Sequence, residues 1–172
     1  MSFELWDYLE ECLNHEAELA EDIDVQELDS IPDPKDVRLE VGKWYEVNDI
    51  VCLYADMVDS TKLLGRLDEE NSAQIHQLFT GGLTSVFEEF GRDYADIKGD
   101  GGFALWKYDF GSALAVVAAA TFKSYVEDYL RSYVKEEIDE DTEIQCRLGI
   151  AKGRVLDGFN GRYVYGKIEM KF

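Results

Sequence analysis

The stretch Ile50–Thr61, reading Ile-Val-Cys-Leu-Tyr-Ala-Asp-Met-Val-Asp-Ser-Thr, constrains the fold of this chain more than any other. Ile50 to Ala55 is an unbroken apolar run of strand length with β-branched and aromatic members, and it predicts a strand covered on both faces. Asp56 falls where that strand ends. Asp59, Ser60 and Thr61 follow as N-cap candidates for a short helix carrying Leu63, Leu64 and Leu67. A carboxylate at a strand rim, beside the free N–H groups of a helix start, can hold a divalent cation and the phosphates it neutralises. Taken alone, Asp56 or Asp59 is as readily a simple helix cap.

A second stretch completes the pattern. In Asp96-Ile-Lys-Gly-Asp-Gly-Gly-Phe-Ala-Leu-Trp106, Gly99, Gly101 and Gly102 surround Asp100 and apolar residues flank the group. This predicts a hairpin with a tight turn and Asp100 at its tip. If the hairpin pairs beside the Ile50 strand, Asp56 and Asp100 meet at one edge of one sheet. Two carboxylates that close repel unless they share a cation, so a metal site explains both better than turn chemistry does.

Three segments, in order over roughly residues 45 to 155, resemble the class III nucleotidyl cyclases. Tyr54-Ala-Asp-Met-Val-Asp-Ser-Thr61 is similar to the family's first metal motif and Lys98-Gly-Asp-Gly-Gly-Phe103 to its second metal hairpin. Cys146-Arg-Leu-Gly-Ile-Ala-Lys-Gly153 resembles its later strand, written Arg, any residue, Gly, Ile, two residues, Gly. The lead-in Trp44-Tyr-Glu-Val-Asn-Asp and the phrase Leu53-Tyr-Ala-Asp-Met57 look most like the bacterial pyrimidine cyclases of Pycsar antiphage defence. The resemblance implies synthesis of cyclic UMP or cyclic CMP from UTP or CTP, as a signal for a separate effector. It also implies two divalent cations, Mn2+ or Mg2+, on Asp56, Asp100 and the Met57 carbonyl, with main-chain N–H groups from Val58 through Asp59 and Ser60 to Thr61 cradling phosphates. A head-to-tail homodimer is implied as well.

The position four before the second metal aspartate reads the purine in that family, commonly as Lys in adenylate cyclases and Glu in guanylate cyclases. Here it is Asp96, whose short acidic side chain offers acceptors where adenine contact needs a donor. Tyr54, two before the first metal aspartate, would add bulk near the base and favour a smaller one. Neither residue separates uracil from cytosine. The family's Asn and Arg pair, which orients the ribose and stabilises the transition state, has no counterpart before Phe172, so the catalytic domain is expected to lack its C-terminal part.

The rest of the chain supports a single globular catalytic region. The 172 residues are 46% hydrophobic and carry a formal net charge of -20. That much negative charge argues against nucleic-acid backbones and anionic membranes as partners, and makes a metal site more necessary for a triphosphate substrate. Cys12, Cys52 and Cys146 are scattered without metal spacing and read as reduced thiols, the latter two in the core. With no signal-like start and no apolar run of spanning length, the expected localisation is cytoplasmic.

Residues 1–40 read as an acidic amphipathic helix to about Ile23, with His15 solvated on it, and a strap from Asp24 to Asp36 broken by Ile-Pro-Asp-Pro. Residues 41–172 form the cyclase-like domain, entered through Trp44 and Tyr45. Ile75, Leu78, Phe79, Val86, Phe87 and Phe90 mark one face of a helix that Gly81 and Gly82 weaken and Gly91 caps, with His76 exposed off that face. Ser112 to about Tyr133 predicts a further helix, its Leu114–Ala120 half buried against the sheet and Tyr125, Tyr129 and Tyr133 forming a packing or dimer stripe. An acidic loop, Glu136 to Glu143, leads to a strand from Glu143 to Ala151. Lys152, Arg154 and Arg162 then supply positive charge near the mouth. Gly158, Asn160 and Gly161 mark a turn before a last strand, Tyr163 to Phe172.

Strand, helices, hairpin, helix, strand is the split βαβ or ferredoxin-like order, an α+β fold with antiparallel pairing and helices on one face. Two other functions stay open: a catalytically silent nucleotide-binding or regulatory domain, and a purine (adenylate) cyclase.

Overall fold

The computed structural model describes residues 2–32, 42–107, 109–159 and 164–171. In chain order the elements are α1 (Ser2–Glu21), β1 (Asp24–Leu28), β2 (Lys43–Met57), α2 (Ser60–Leu64), α3 (Glu69–Glu89), β3 (Tyr94–Lys98) and β4 (Gly101–Trp106). There follow α4 (Gly111–Ser124), a π-helical segment (Tyr125–Leu130), α5 (Arg131–Glu137), β5 (Cys146–Phe159) and β6 (Val164–Lys171). The chain divides into two compact units, Met1–Asn48 with Arg154–Met170 and Asp49–Gly153 with Lys171–Phe172.

The second unit holds the candidate site. Its strands lie in the order β3-β4-β2-β5, with β3 antiparallel to β4 and β4 antiparallel to β2. Alternate residues of β2, Val51, Leu53, Ala55 and Met57, join one apolar core with Ile75, Phe79, Leu83 and Phe87 of α3 and Ala115, Ala118 and Phe122 of α4. This is the expected α+β arrangement, with both helices on one face of the sheet. Burial on both faces reaches only from Ile50 to Leu53, because Tyr54 is 46% exposed on the face away from the helices.

α3 starts on Asp68, whose carboxylate accepts from the Asn71 N–H at 2.8 Å. It ends in a glycine-closed cap: Gly91, at φ +59, donates to the Glu88 carbonyl and Arg92 to that of Phe87. Gly82 is required by packing, since a Cβ there would lie 2.3 Å from the Tyr125 ring. The Tyr125 hydroxyl donates to the Leu78 carbonyl at 2.9 Å, so this tyrosine fastens the π-helical segment to α3. The expected stripe is therefore split, with Tyr129 and Tyr133 exposed. The Leu114–Ala120 half of α4 is likewise buried only in part. Ala115, Ala118 and Ala119 face the core while Val116 and Val117 face out, because one helix stripe is all the sheet can cover.

Other boundaries move as well. α2 stops at Leu64, leaving Leu67 outside it. α5 runs into the expected acidic loop, where the Thr142 hydroxyl bonds the Asp139 carboxylate and Ile144 is buried. β5 begins at Cys146 and continues through Gly158 to Phe159, so no turn falls at Gly158. Asn160, Gly161, Arg162 and Tyr163 lie outside the described residues. Cys52 is buried, which pushes its thiol up to about 11, and Cys146 is half-buried beside the core.

In the first unit, the segment expected as a strap contains β1, which pairs parallel with β2 from Asp24↔Lys43 to Leu28↔Val47. Extended, alternating Asp-Val-Gln-Glu-Leu finds a ladder there that polar composition conceals. Arg154 pairs with Glu46 at 2.9 Å. His15 is exposed, and so are Leu5, Trp6, Leu9 and Leu13 of α1. No helix among the described residues is long and apolar enough to cross a membrane.

Candidate active site

The register of the sheet builds the site. Asp56 pairs with Gly101 across β2 and β4, and the two-residue Gly99-Asp100 turn joins Lys98 to Gly101 immediately beside it. The Met57 N–H donates to the Asp100 carbonyl at 3.2 Å, tying the strand end to the turn. Gly101 permits this approach, because a Cβ there would lie 2.5 Å from the Ala55 carbonyl oxygen. Asp56, Met57, Asp59, Ser60, Thr61, Lys62, Asp100 and Arg147 line a single cavity of about 250 Å3.

Burial, and then the neighbouring Asp100 charge, raise the Asp56 carboxyl above its ordinary value. Arg147 on β5 opposes that shift, its guanidinium 3.5 Å from Asp56 Oδ2. Tyr54, two residues back on the same face, has its phenol raised by burial and then by both carboxylates. This is a place where added positive charge is favoured.

The donor set is oxygen only. Among the described residues no three His, Cys, Asp or Glu side chains gather as a metal cluster. Two crowded carboxylates, with Asp59 on the same cavity wall engaged by Lys62, suit Mg2+ or Mn2+, which take one or two carboxylates and draw their remaining ligands from water and substrate phosphate. The residues fit such ions.

Of the residues singled out in the sequence, Asp56, Met57, Asp59, Ser60, Thr61 and Asp100 come together as expected. The Val58 N–H, expected among the phosphate donors, is instead engaged by the Gln145 carbonyl at 2.9 Å where β5 approaches β2. Asp59 occupies the N-cap position of α2, but at φ 53 it is left-handed and its side chain makes no capping bond. It instead meets Lys62 Nζ at 3.4 Å. Tyr54 and Asp96 lie outside the cavity. Both pair with Phe103, from opposite sides, so the three share one face of the sheet. Asp96 is engaged by Lys98 at 3.3 Å.

The positive charge at the cavity also differs from expectation. Lys152 pairs with Asp49 at 3.1 Å, Arg154 pairs with Glu46 in the first unit, and Arg162 lies outside the described residues. Arg147 and Lys62 line the cavity in their place. Strand alternation puts Arg147 opposite the core-facing Cys146 and Leu148, but only the register brings it to Asp56. His76, expected to be exposed off the apolar face of its helix, instead reaches the metal-motif hairpin. It is half-buried, with Nε2 2.7 Å from the Gly99 carbonyl oxygen. Nothing in its helical position signals that contact.

No family model matches the chain. It is 30% identical over 118 residues to a protein named uridylate cyclase from Micromonospora echinofusca, a match covering 69% of this chain and 39% of that protein. A second uridylate cyclase, from Propioniciclava tarda, is 28% identical over 66% of this chain and 37% of its own length. The chain thus spans less than two fifths of these two relatives. Among solved structures, the adenylyl cyclase CyaB from P. aeruginosa superposes with a TM-score of 0.62 at 13% identity, over 74% of this chain and 68% of that one. The guanylate cyclase domain of RhGC from Catenaria anguillulae gives 0.58 at 13%, over 72% and 67%. Strand order, site register and these relatives agree: the chain has the catalytic-domain fold of the class III nucleotidyl cyclases and is related to the uridylate cyclases.

Proposed function

We propose that this chain is the catalytic region of a pyrimidine nucleotide cyclase, converting UTP or CTP to the 3′,5′-cyclic monophosphate and pyrophosphate. The observation that carries the reading is the meeting of Asp56 and Asp100 in one cavity with Ser60, Thr61, Lys62 and Arg147. The uridylate cyclase names of its relatives favour the pyrimidine. Divalent cations bound there supply activation of the ribose 3′-hydroxyl and neutralisation of the triphosphate.

The chain's own groups do the rest. Asp56 and Asp100 hold the cations, with the Met57 carbonyl as the main-chain ligand that the family resemblance implies. Ser60 and Thr61 face the phosphates from the cavity wall, and Lys62 and Arg147 offset their charge on a chain that is otherwise strongly acidic. Arg147 thereby exchanges one anionic partner, Asp56, for another. Tyr54 and Asp96, flanking Phe103, meet the base. The active form is a homodimer in the cytoplasm, and its cyclic product signals to a separate effector in antiphage defence.

The test is incubation of the purified chain with each of the four ribonucleoside triphosphates and Mn2+, following products by chromatography and mass. A cyclic pyrimidine product that Asp100→Ala abolishes is expected. A cyclic purine product would overturn the substrate assignment, and tight triphosphate binding without turnover would favour a silent nucleotide-binding domain. The defence role is tested separately, by phage protection in cells carrying Asp56→Ala, where unchanged protection would overturn it.

A further inference from the structure

The turn that carries Asp100 is open on the side where a Gly99 side chain would stand. Gly99 is left-handed at φ +59, and a Cβ added to it would meet nothing within 4 Å. A glycine with open space on that side lets its peptide rotate at small cost. The repulsion between Asp56 and Asp100 favours such a rotation, because swinging Asp100 outward separates the two charges. Two hydrogen bonds oppose it. One is the Met57 N–H to the Asp100 carbonyl, and the other is His76 Nε2 to the Gly99 carbonyl at 2.7 Å.

His76 is well placed to act as an anchor. It follows Ile75 and precedes Phe79 on α3, both fully buried, so its main chain is fixed to the core while its ring reaches the hairpin. A carbonyl oxygen can only accept, so Nε2 carries the proton and donates. Neutral and charged imidazole both offer that donor, and the bond serves as a pin rather than a pH switch.

We propose that His76 is a positioning residue for the metal site, fixing the Gly99-Asp100 turn so that the Asp100 carboxylate stays beside Asp56. This rests on the reading of Asp56 and Asp100 as the metal pair. Outer residues that orient ligands in this way are worth about 10- to 100-fold in metal affinity. Glutamine at position 76 reaches as far as the imidazole and still donates, whereas asparagine is one methylene short.

The experiment measures Mn2+ binding to the full chain without nucleotide, by calorimetry or by loss of the free-ion paramagnetic signal. Thermal unfolding of the metal-free forms is followed alongside. His76→Asn and His76→Leu are expected to weaken Mn2+ binding by about tenfold, with His76→Gln retaining most of the affinity. The Asn and Gln variants are both polar at a half-buried position, so their comparison stands even if the Leu variant fails to fold. Equal affinity in the Asn variant and the unsubstituted chain would overturn the proposal, as would equal losses in Asn and Gln that track unfolding temperature. Mn2+ binding that is absent, or indifferent to Asp100→Asn, would instead remove the metal reading and the proposal with it.

Discussion

Asp56 and Asp100 reach the same cavity by opposite means. Asp56 rides on β2, between Ala55 and Met57, which are both buried in the core that α3 and α4 close. Its position follows from burial, and displacing it means moving a strand. Asp100 sits in a two-residue turn whose glycine has open space where a side chain would stand, and its position follows from hydrogen bonds through Met57 and His76. The core supplies one rigid carboxylate, and a few polar bonds supply one that can be adjusted. A site of the proposed kind, admitting cations together with a triphosphate, would gain from having one ligand of each kind.

The strongest way to break this contrast is to remove each carboxylate in turn. Asp56→Ala and Asp100→Ala are each expected to lower cyclase activity by about a thousandfold, since a catalytic cation contributes several kcal/mol to the barrier and each 1.4 kcal/mol is tenfold. Retention of even a tenth of the activity by either variant would dissolve the pair.

Glycine substitutions sharpen the contrast at the level of stability. Gly101→Ala sets a Cβ 2.5 Å from the Ala55 carbonyl and 3.1 Å from the Asp56 Cα, both main chain and unable to yield. The expected cost is about 1–3 kcal/mol, read as a shift of the denaturant midpoint. Gly99→Ala meets open space and pays only for its left-handed backbone, about 1–2 kcal/mol. Its larger effect should fall on Mn2+ affinity. If both variants lose stability and metal affinity in the same proportion, the strand and the turn are not independent carriers.

A smaller effect follows from the raised Asp56 carboxyl. Burial and Asp100 make the folded chain keep a proton that the unfolded chain has already released. Between the ordinary carboxylate value and the raised one, metal-free stability therefore falls as pH rises. Asp56→Asn removes that dependence. Without metal, it is expected to unfold at a higher temperature than the unsubstituted chain at neutral pH, with the advantage vanishing in acid and reversing when Mn2+ is added. Melting curves across that range check the sign, and a lower midpoint for Asp56→Asn at neutrality would refute it.

The smallest expected effect is on base choice. Asp96 lies outside the cavity and is engaged by Lys98. Asp96→Lys should shift relative binding from UTP toward ATP without disturbing Mn2+ affinity. An unchanged preference would take Asp96 out of base recognition.

Much of this was legible in the residues. The apolar run before Asp56 and the glycines around Asp100 are local signals, and local backbone preference decides them. Val58 shows where such reasoning ends. The family resemblance implied a phosphate donor there, but its N–H goes to the carbonyl of Gln145, more than eighty residues away and just ahead of β5. Arg147 and Lys152 show the same for charge. Both lie in the same strand, and only the register sends one to Asp56 and the other to Asp49. β1 was concealed because a polar five-residue strand has no periodicity strong enough to announce itself without its partner.

The sequence by itself determined which residues could carry chemistry and the order in which the strands and helices bearing them occur. Hydrophobic period, turn glycines and acidic punctuation act over a few residues and need no partner to be read. The tertiary structure alone decided which of those residues meet: Arg147 at Asp56, His76 at Gly99, and Tyr54 and Asp96 on either side of Phe103. Those pairings depend on strand register and helix placement. These are set by the summed burial of a core distributed along the chain, and no single segment encodes them.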